Sequence, residues 1–145
     1  MLIVMLYIKN ILALLYNIFL FKIYKLTLVI QMSNYSKYIW FNGKLNNFDN
    51  AKIHVLSHCI HYGSAVFEGI KCYNTDKGPA IFKLKEHMER LHESANAFKI
   101  NIPFDANTLC NAAIELVRKN EVKDCYLRPI AYYGFDTLGV HPKKC

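Results

Sequence analysis

The sequence predicts an α+β fold, with a mainly antiparallel sheet and two helices on one side of it. Three observations support this. Asn42-Gly43 is a strong two-residue hairpin turn, residues 74–79 are dense in turn-forming residues, and apolar residues recur at helical spacing after residue 85. The length of 145 residues fits one domain or a piece of a larger protein.

The first half of the domain is predicted to form two hairpins. Residues 38–41 are aromatic and β-prone, and residues 44–48 form the return strand after the Asn-Gly turn. Residues 66–73 predict a further strand, in which Gly69 marks a bulge or a close approach of the backbone to another group. Residues 80–84 complete the second hairpin.

Two helices and a strand follow. The first helix covers about residues 85–98 and has an apolar face made of Met88, Leu91, Ala95 and Phe98. Asp105 is the expected N-cap of the second helix. The buried stripe of that helix consists of Leu109, Ala112, Ala113, Leu116 and Val117. Residues 124–133 predict a strand that is irregular or at an edge, because Pro129 lacks an N–H group.

The N-terminal segment differs from the rest. Residues 1–31 are mainly apolar and carry three Lys and no acid, whereas residues 32–145 have the composition of an ordinary soluble domain. The Lys residues interrupt each apolar run that could span a bilayer, and no secretory cleavage motif follows. We expect residues 1–31 to be a non-native or non-essential extension. A membrane anchor over residues 1–30 is the alternative, and a secretion signal fits less well.

Charge and cysteine usage narrow the function classes. The net charge of +7 falls to +4 without the N-terminal segment, and the Lys residues are scattered, so we expect no nucleic-acid partner. The five Cys are an odd number without a CxxC pair, which disfavours a disulfide framework or a zinc ribbon. We expect a reducing, cytoplasmic location.

Three histidines are candidates for metal ligands. His54, His58 and His61 have a spacing that would align them on a helix, but no neighbouring Glu supplies the base of a zinc protease. Structural hydrogen bonding in a loop is the favoured interpretation, and we expect no metal site.

Two arginines are candidates for anion binding. The forked guanidinium of Arg90 could bind phosphate through two hydrogen bonds. However, its helical spacing from Glu86 and Glu93 favours a solvated salt bridge to one of them. Tyr126 and Arg128 are two residues apart and so share one face of a strand. They could form a carboxylate receptor or simply a half-exposed strand face.

Five blocks of sequence, in their order and spacing, resemble the N-terminal domain of bacterial branched-chain amino-acid aminotransferases, which are fold-type IV pyridoxal-phosphate enzymes. The match extends from about Tyr38 to the end of the chain and has no counterpart for residues 1–31. The blocks are residues 38–43, 57–73, 86–95, 126–130 and 138–142.

The resemblance implies a cofactor, a reaction and partners. The cofactor is pyridoxal 5′-phosphate, and Arg90 corresponds to the Arg that binds its phosphate, which reverses the preference for a salt bridge. The expected activity is amino-group transfer between leucine, isoleucine or valine and 2-oxoglutarate, so the partners are amino acids and 2-oxo acids. The intact parent is expected to be a homo-oligomer.

The resemblance also implies roles for substrate-contacting residues. Phe67 corresponds to a wall of the pocket for the branched side chain. Tyr126 and Arg128 correspond to a substrate-contacting pair, with Arg128 meeting the side-chain carboxylate of glutamate. Tyr62 and Val140 resemble residues that reach the active site of the partner subunit. No catalytic residue and no metal ligand is assigned to this chain.

One departure from the family pattern affects activity. The family's Schiff-base Lys lies in a larger C-terminal domain, and no Lys here matches it. We therefore expect a chain truncated before that domain and inactive by itself. A D-amino-acid aminotransferase, an aminodeoxychorismate lyase and a non-catalytic interaction fragment remain alternatives.

Overall fold

The computed structural model describes residues 36–136 and 139–142, so the expected extension over residues 1–31 lies outside the described part. The strand pairs within the described part are antiparallel, which confirms the predicted α+β class. None of the helices in these ranges is long and apolar enough to cross a membrane. The elements in chain order are β1 (Tyr38–Phe41), β2 (Lys44–Asn47), α1 (His58–Tyr62), β3 (Ala65–Phe67), β4 (Ile70–Thr75), β5 (Gly78–Ile81), α2 (Leu84–Ala97), α3 (Ala106–Lys119), β6 (Cys125–Leu127) and β7 (Ile130–Tyr132).

The first hairpin forms as predicted. β1 pairs with β2, and Phe41 lies opposite Lys44, so the turn contains only Asn42 and Gly43. Both turn residues have positive φ, 48° and 85°, which is the backbone twist that a tight hairpin needs. A short 3-10 turn, Phe48–Asn50, follows β2.

Each of two predicted strands is divided into two short strands. Residues 66–73 separate at Glu68 and Gly69 into β3, which pairs with β7, and β4, which lies between β5 and β6. Residues 124–133 separate in the same way at Arg128 and Pro129. The two breaks are side by side, because Phe67 is opposite Ile130 in one sheet and Ile70 is opposite Leu127 in the other.

The second hairpin and the first long helix differ from the prediction at their ends. β5 begins at Gly78 and ends at Ile81, and Leu84 is the first residue of α2 rather than the last of a strand. Lys83, with φ 46°, makes the change of direction between them. Phe98, expected on the buried face, follows the last turn of α2 and is 55% exposed.

The core lies between the two long helices and the strands. α2 packs against α3, β3 and β7, and α3 packs against β1. Asp105 caps α3, since its carboxylate accepts a hydrogen bond from the N–H of Thr108 at 2.7 Å. The buried cluster consists of Val66, Ile70, Met88, Leu91, Ala95, Ile100, Leu109 and Ala113.

A short helix stands where the sequence favoured a loop. α1 ends at Gly63, which adopts the left-handed conformation typical of a helix C-terminus and donates its N–H to Cys59. The backbone N–H groups of His58 and Cys59 donate to Gly134 and Tyr133, which attaches the helix to the segment after β7.

Candidate active site

The two adjacent strand breaks bring three predicted site residues together. The Arg128 guanidinium carbon lies 4.6 Å from the centre of the Phe67 ring and 5.2 Å from that of the Tyr126 ring. The N–H of Glu68 donates to the carbonyl of Pro129 at 3.0 Å and fixes one break against the other. Phe67 and Tyr126 are 59% and 58% exposed, so the cluster faces outward.

Gly69 allows the Tyr126 ring to lie across the break. A Cβ atom at residue 69 would overlap the Tyr126 hydroxyl and come within 2.8 Å of Cζ. The sequence prediction of a close approach at Gly69 is therefore confirmed, and the approaching group is the Tyr126 side chain. Glycine is needed here for space, so that the phenol can cover the backbone.

The same break places a buried carboxylate against α2. Glu68 is 5% exposed, and its carboxylate accepts hydrogen bonds from Arg90 Nε and Nη2, both at 2.6 Å. His87 Nδ1 lies 2.8 Å from Glu68 Oε2. These partners, Arg90 foremost, lower the pKa of Glu68 to about 2, although burial acts in the opposite direction.

Arg90 meets the requirements of an anion-binding group. Its side chain is 61% exposed, and hydrogen bonding to Glu68 raises its pKa further above the usual value. Among the described residues no hydrogen bond uses Nη1, so its two N–H groups remain for a ligand. The salt bridge to Glu86 or Glu93 that helical spacing favoured is not formed among the described residues; Arg90 pairs with Glu68 instead.

The remaining two predicted site residues lie around His58. His58 is buried, its Nδ1 is 2.6 Å from Ser64 Oγ, and its Nε2 is 3.2 Å from the Val140 carbonyl oxygen. Because a carbonyl only accepts, Nε2 carries the proton. The Tyr62 ring is tilted against the His58 ring at 4.4 Å.

Tyr62 and Val140 are 46% and 79% exposed. Within the described residues, neither has a hydrogen bond or ring contact to Phe67 or Arg128. The chain therefore brings three of the six predicted site residues together and holds Arg90 beside them through Glu68. It places Tyr62 and Val140 around a second centre.

The three histidines have separate structural partners. His54 stacks on Phe135 with ring centres 4.5 Å apart, and His61 Nε2 lies 3.1 Å from the carbonyl oxygen of Val55. In residues 36–136 and 139–142 no group of three or more His, Cys, Asp or Glu side chains could hold a metal ion. The structural hydrogen bonding that was expected for these histidines is present, partly on a helix.

A cleft of about 820 Å³ lies next to the strand breaks. Arg128 and Pro129 contribute to its lining, whereas Phe67, Tyr126 and Arg90 do not. The rest of the lining is mainly apolar and comes from several elements, including Trp40 of β1 and Leu109 of α3. Of the six predicted site residues, only Arg128 lines this cleft.

Glu68 and His87 were not assigned roles from the sequence. Glu68 stands between Phe67 and Gly69 in an otherwise apolar run, and an acid in a buried strand requires a cationic partner. That pattern could have indicated Glu68 as a site residue, although not which cation it pairs with.

Comparison with known proteins gives the class of protein. The family model for amino-transferase class IV matches residues 65–144, and the chain belongs to that family. More particularly, the chain is similar to branched-chain-amino-acid aminotransferases. It is 44% identical over 105 residues to that of Escherichia coli strain K12, covering 72% of this chain and 34% of the relative.

Solved structures agree with this assignment. The Escherichia coli branched-chain amino acid aminotransferase superposes with a TM-score of 0.74 at 42% identity, covering 76% of this chain and 36% of that one. The T.th. enzyme complexed with N-(5′-phosphopyridoxyl)-L-glutamate superposes with a TM-score of 0.73 at 48% identity, covering 75% and 37%. The chain thus spans about a third of the length of the relatives it matches.

Proposed function

We propose that this chain supplies the small domain of a pyridoxal-phosphate-dependent branched-chain aminotransferase, with residues 32–145 as the domain. The reaction moves an amino group between leucine, isoleucine or valine and 2-oxoglutarate. One observation carries the proposal: the paired strand breaks bring together an aromatic wall and an Arg–Tyr pair, and Glu68 at one break holds Arg90 of α2.

The cofactor proposal rests on Arg90. A phosphate needs charged donors in a fixed orientation, and Glu68 fixes the guanidinium while the Nη1 donors have no hydrogen-bond partner among the described residues. When bound, pyridoxal phosphate supplies an electron sink for the bond changes at the substrate Cα. The donor set of Arg90 fits the phosphate group, and in this proposal it binds that group and moves no proton.

The substrate proposal rests on the Phe67–Tyr126–Arg128 cluster. One pocket must accept an aliphatic side chain in one half-reaction and a carboxylate in the other. The Phe67 ring offers apolar surface, and Arg128 with the Tyr126 hydroxyl offers charged and neutral donors. The ligand named for the T.th. relative contains both a phosphate and a glutamate carboxylate, which is the pair of anions that Arg90 and Arg128 would bind here.

The assembly and the location are also proposals. Tyr62 and Val140, held around His58 and exposed, would contact substrate in the partner subunit of a homo-oligomer. Residues 1–31 would be a non-essential extension of a cytoplasmic protein. We further propose that these 145 residues show no transaminase turnover alone, because no Lys matches the family's Schiff-base position.

A fusion protein tests the function. The 145-residue chain is joined to the part of the Escherichia coli relative that it does not cover, and amino transfer to 2-oxoglutarate is measured with several donors. We expect turnover with leucine, isoleucine and valine, and none from the unfused chain.

Other outcomes of the same assay would contradict the proposal. A preference for D-alanine would favour a D-amino-acid aminotransferase. Turnover by the unfused chain would contradict the predicted inactivity. A folded fusion that binds the cofactor but transfers no amino group would favour a non-catalytic interaction role.

A further inference from the structure

Two thiols that have no role in the proposed site face each other across neighbouring strands. Cys72 of β4 lies directly opposite Cys125 of β6, and both are free cysteines. Opposed residues in antiparallel strands direct their side chains to the same face, with Cα atoms about 4.5 or 5.5 Å apart. Both separations are within the range of about 4.4–6.8 Å that a disulfide spans.

The two thiols differ in their access to solvent. Cys72 is fully buried, whereas Cys125 is only partly buried. Burial raises the pKa of Cys125 to about 11, and Cys72 adds to the shift by its charge and by a side-chain hydrogen bond. The sulfur atoms are therefore close neighbours, and Cys125 is the one that a small reagent in solution reaches first.

We propose that Cys72 and Cys125 form a reversible cross-strand disulfide when the protein meets a small two-electron oxidant of the hydroperoxide class. The Cys125 thiolate attacks hydrogen peroxide, the O–O bond breaks, and a sulfenic acid and hydroxide form. Cys72 then loses its proton and attacks the Cys125 sulfur, which forms the S–S bond and releases water. Two thiols and one peroxide give one disulfide and two waters, and a dithiol reductant reverses the change.

The disulfide would act on the strand that carries the site. β6 contains Tyr126 and leads directly into Arg128. The bond would fix β6 to β4 covalently at the register that the ladder already has. Closing the long chain segment between the two cysteines restricts the unfolded state, so we expect Tm to rise by ~10 °C on oxidation. This inference does not depend on the proposed function.

Peptide mapping of the full chain tests the proposal. The reduced 145-residue protein is treated with hydrogen peroxide at about pH 7 and at about pH 9. It is then alkylated and digested, and the peptides are analysed by mass spectrometry. We expect a peptide that joins Cys72 to Cys125, a mass loss of two hydrogens, and full reversal by dithiothreitol. The rate should be ~10–100-fold higher at the higher pH, because the thiolate is the nucleophile.

Matched variants identify the order of events. The double variant Cys59→Ser/Cys110→Ser lacks the other two cysteines of the described residues and should form the same link between Cys72 and Cys125. In Cys72→Ser the sulfenic acid at Cys125 has no partner, so dimedone should label Cys125 there and not in the wild type.

Two results would overturn the proposal. One is oxidised wild-type protein in which Cys125 is a sulfenic or sulfonic acid and Cys72 is still a thiol. The other is linkage of Cys125 to Cys59 or Cys110 as often as to Cys72. A linked protein whose Tm is unchanged or lower would contradict the expected stabilisation. The wild-type map decides the linkage even where Cys72→Ser folds poorly.

Discussion

The Glu68 carboxylate holds the Arg90 guanidinium by two hydrogen bonds of 2.6 Å, one from Nε and one from Nη2. The two residues are 22 positions apart, so this pair joins the strand break to α2. A buried carboxylate and an exposed guanidinium thus form one unit, in which Glu68 sets the orientation of Arg90 and Arg90 neutralises Glu68.

This unit makes stability depend on pH. The folded-state pKa of Glu68 is about 2, below the ordinary value of 4.5. The ionised carboxylate therefore makes its full contribution to the free energy of unfolding above about pH 4.5, and this contribution is lost as the pH falls to about 2. Because Arg90 is largely exposed and screened by water, we expect the pair to contribute only ~1–2 kcal/mol to the free energy of unfolding at neutral pH.

Urea unfolding of the wild type and Glu68→Gln checks this. The variant should be less stable at neutral pH and should approach the wild type near pH 2. The control is Glu86→Gln, because Glu86 is exposed and makes only a 4.0 Å contact with Lys83. Parallel stability curves for the wild type and Glu68→Gln across this pH range would exclude the assigned pKa shift.

A side chain at residue 69 is expected to displace the Tyr126 ring. Gly69→Ala puts a methyl group onto the Tyr126 phenol, so either the ring or the strand break must move. We expect a loss of ~1–3 kcal/mol in the free energy of unfolding, measured by chemical denaturation.

Gly134→Ala is the matched control, because a Cβ atom there meets nothing within 4 Å. The double variant Gly69→Ala/Tyr126→Phe removes the hydroxyl and should recover part of the loss. An unchanged stability for Gly69→Ala would mean that the phenol does not cover this backbone.

Asn120 attaches the first hairpin to the end of α3. Its side chain accepts from the Tyr38 N–H at 2.9 Å and donates to the carbonyls of Tyr38 and Leu116 at 3.1 and 2.9 Å. Asn120→Ala should cost ~1–3 kcal/mol in urea unfolding, because two of these groups belong to a strand edge. Asn111→Ala, at an exposed position of α3, should cost nothing measurable. Equal effects of the two changes would argue against the assigned link.

Replacing Arg128 is expected to change KM for one substrate much more than for the other. In the fusion protein, Arg128→Gln should raise KM for 2-oxoglutarate by ~10-fold or more and change KM for leucine by less than ~3-fold. The reason is that only the oxo acid carries a side-chain carboxylate for the guanidinium that lies between Phe67 and Tyr126. Steady-state kinetics with each substrate varied in turn provides the measurement, and equal changes for both substrates would contradict the assignment.

Local chemistry made much of the fold predictable. The Asn42-Gly43 turn and the Asp105 cap are encoded in a few adjacent residues, and both formed as expected. Gly69 and Pro129 marked the positions where the two long strands are irregular, but the pairing of each half in a different sheet was not predictable, because it depends on the tertiary fold. Spacing suggested helical neighbours for Arg90, whereas its partner Glu68 comes from a strand brought close only by the tertiary fold.

The site residues show the same contrast between what local sequence predicts and what only the tertiary fold determines. Tyr126 and Arg128 were expected to share a strand face, and their side chains do meet, although β6 ends at Leu127 and Arg128 lies in the break. Glu68 was missed because its role requires α2 to lie beside the break. The roles of Phe67, Arg90, Tyr62 and Val140 came from the family resemblance and remain predictions.

The affinity of the fusion protein for pyridoxal phosphate tests the central claim most directly. Arg90→Gln should weaken cofactor binding by ~10–100-fold, because it removes charged donors to the phosphate. Arg118→Gln, at an exposed end of α3, should leave the affinity unchanged. An Arg90→Gln protein that is folded and binds the cofactor as tightly as the parent would contradict the account.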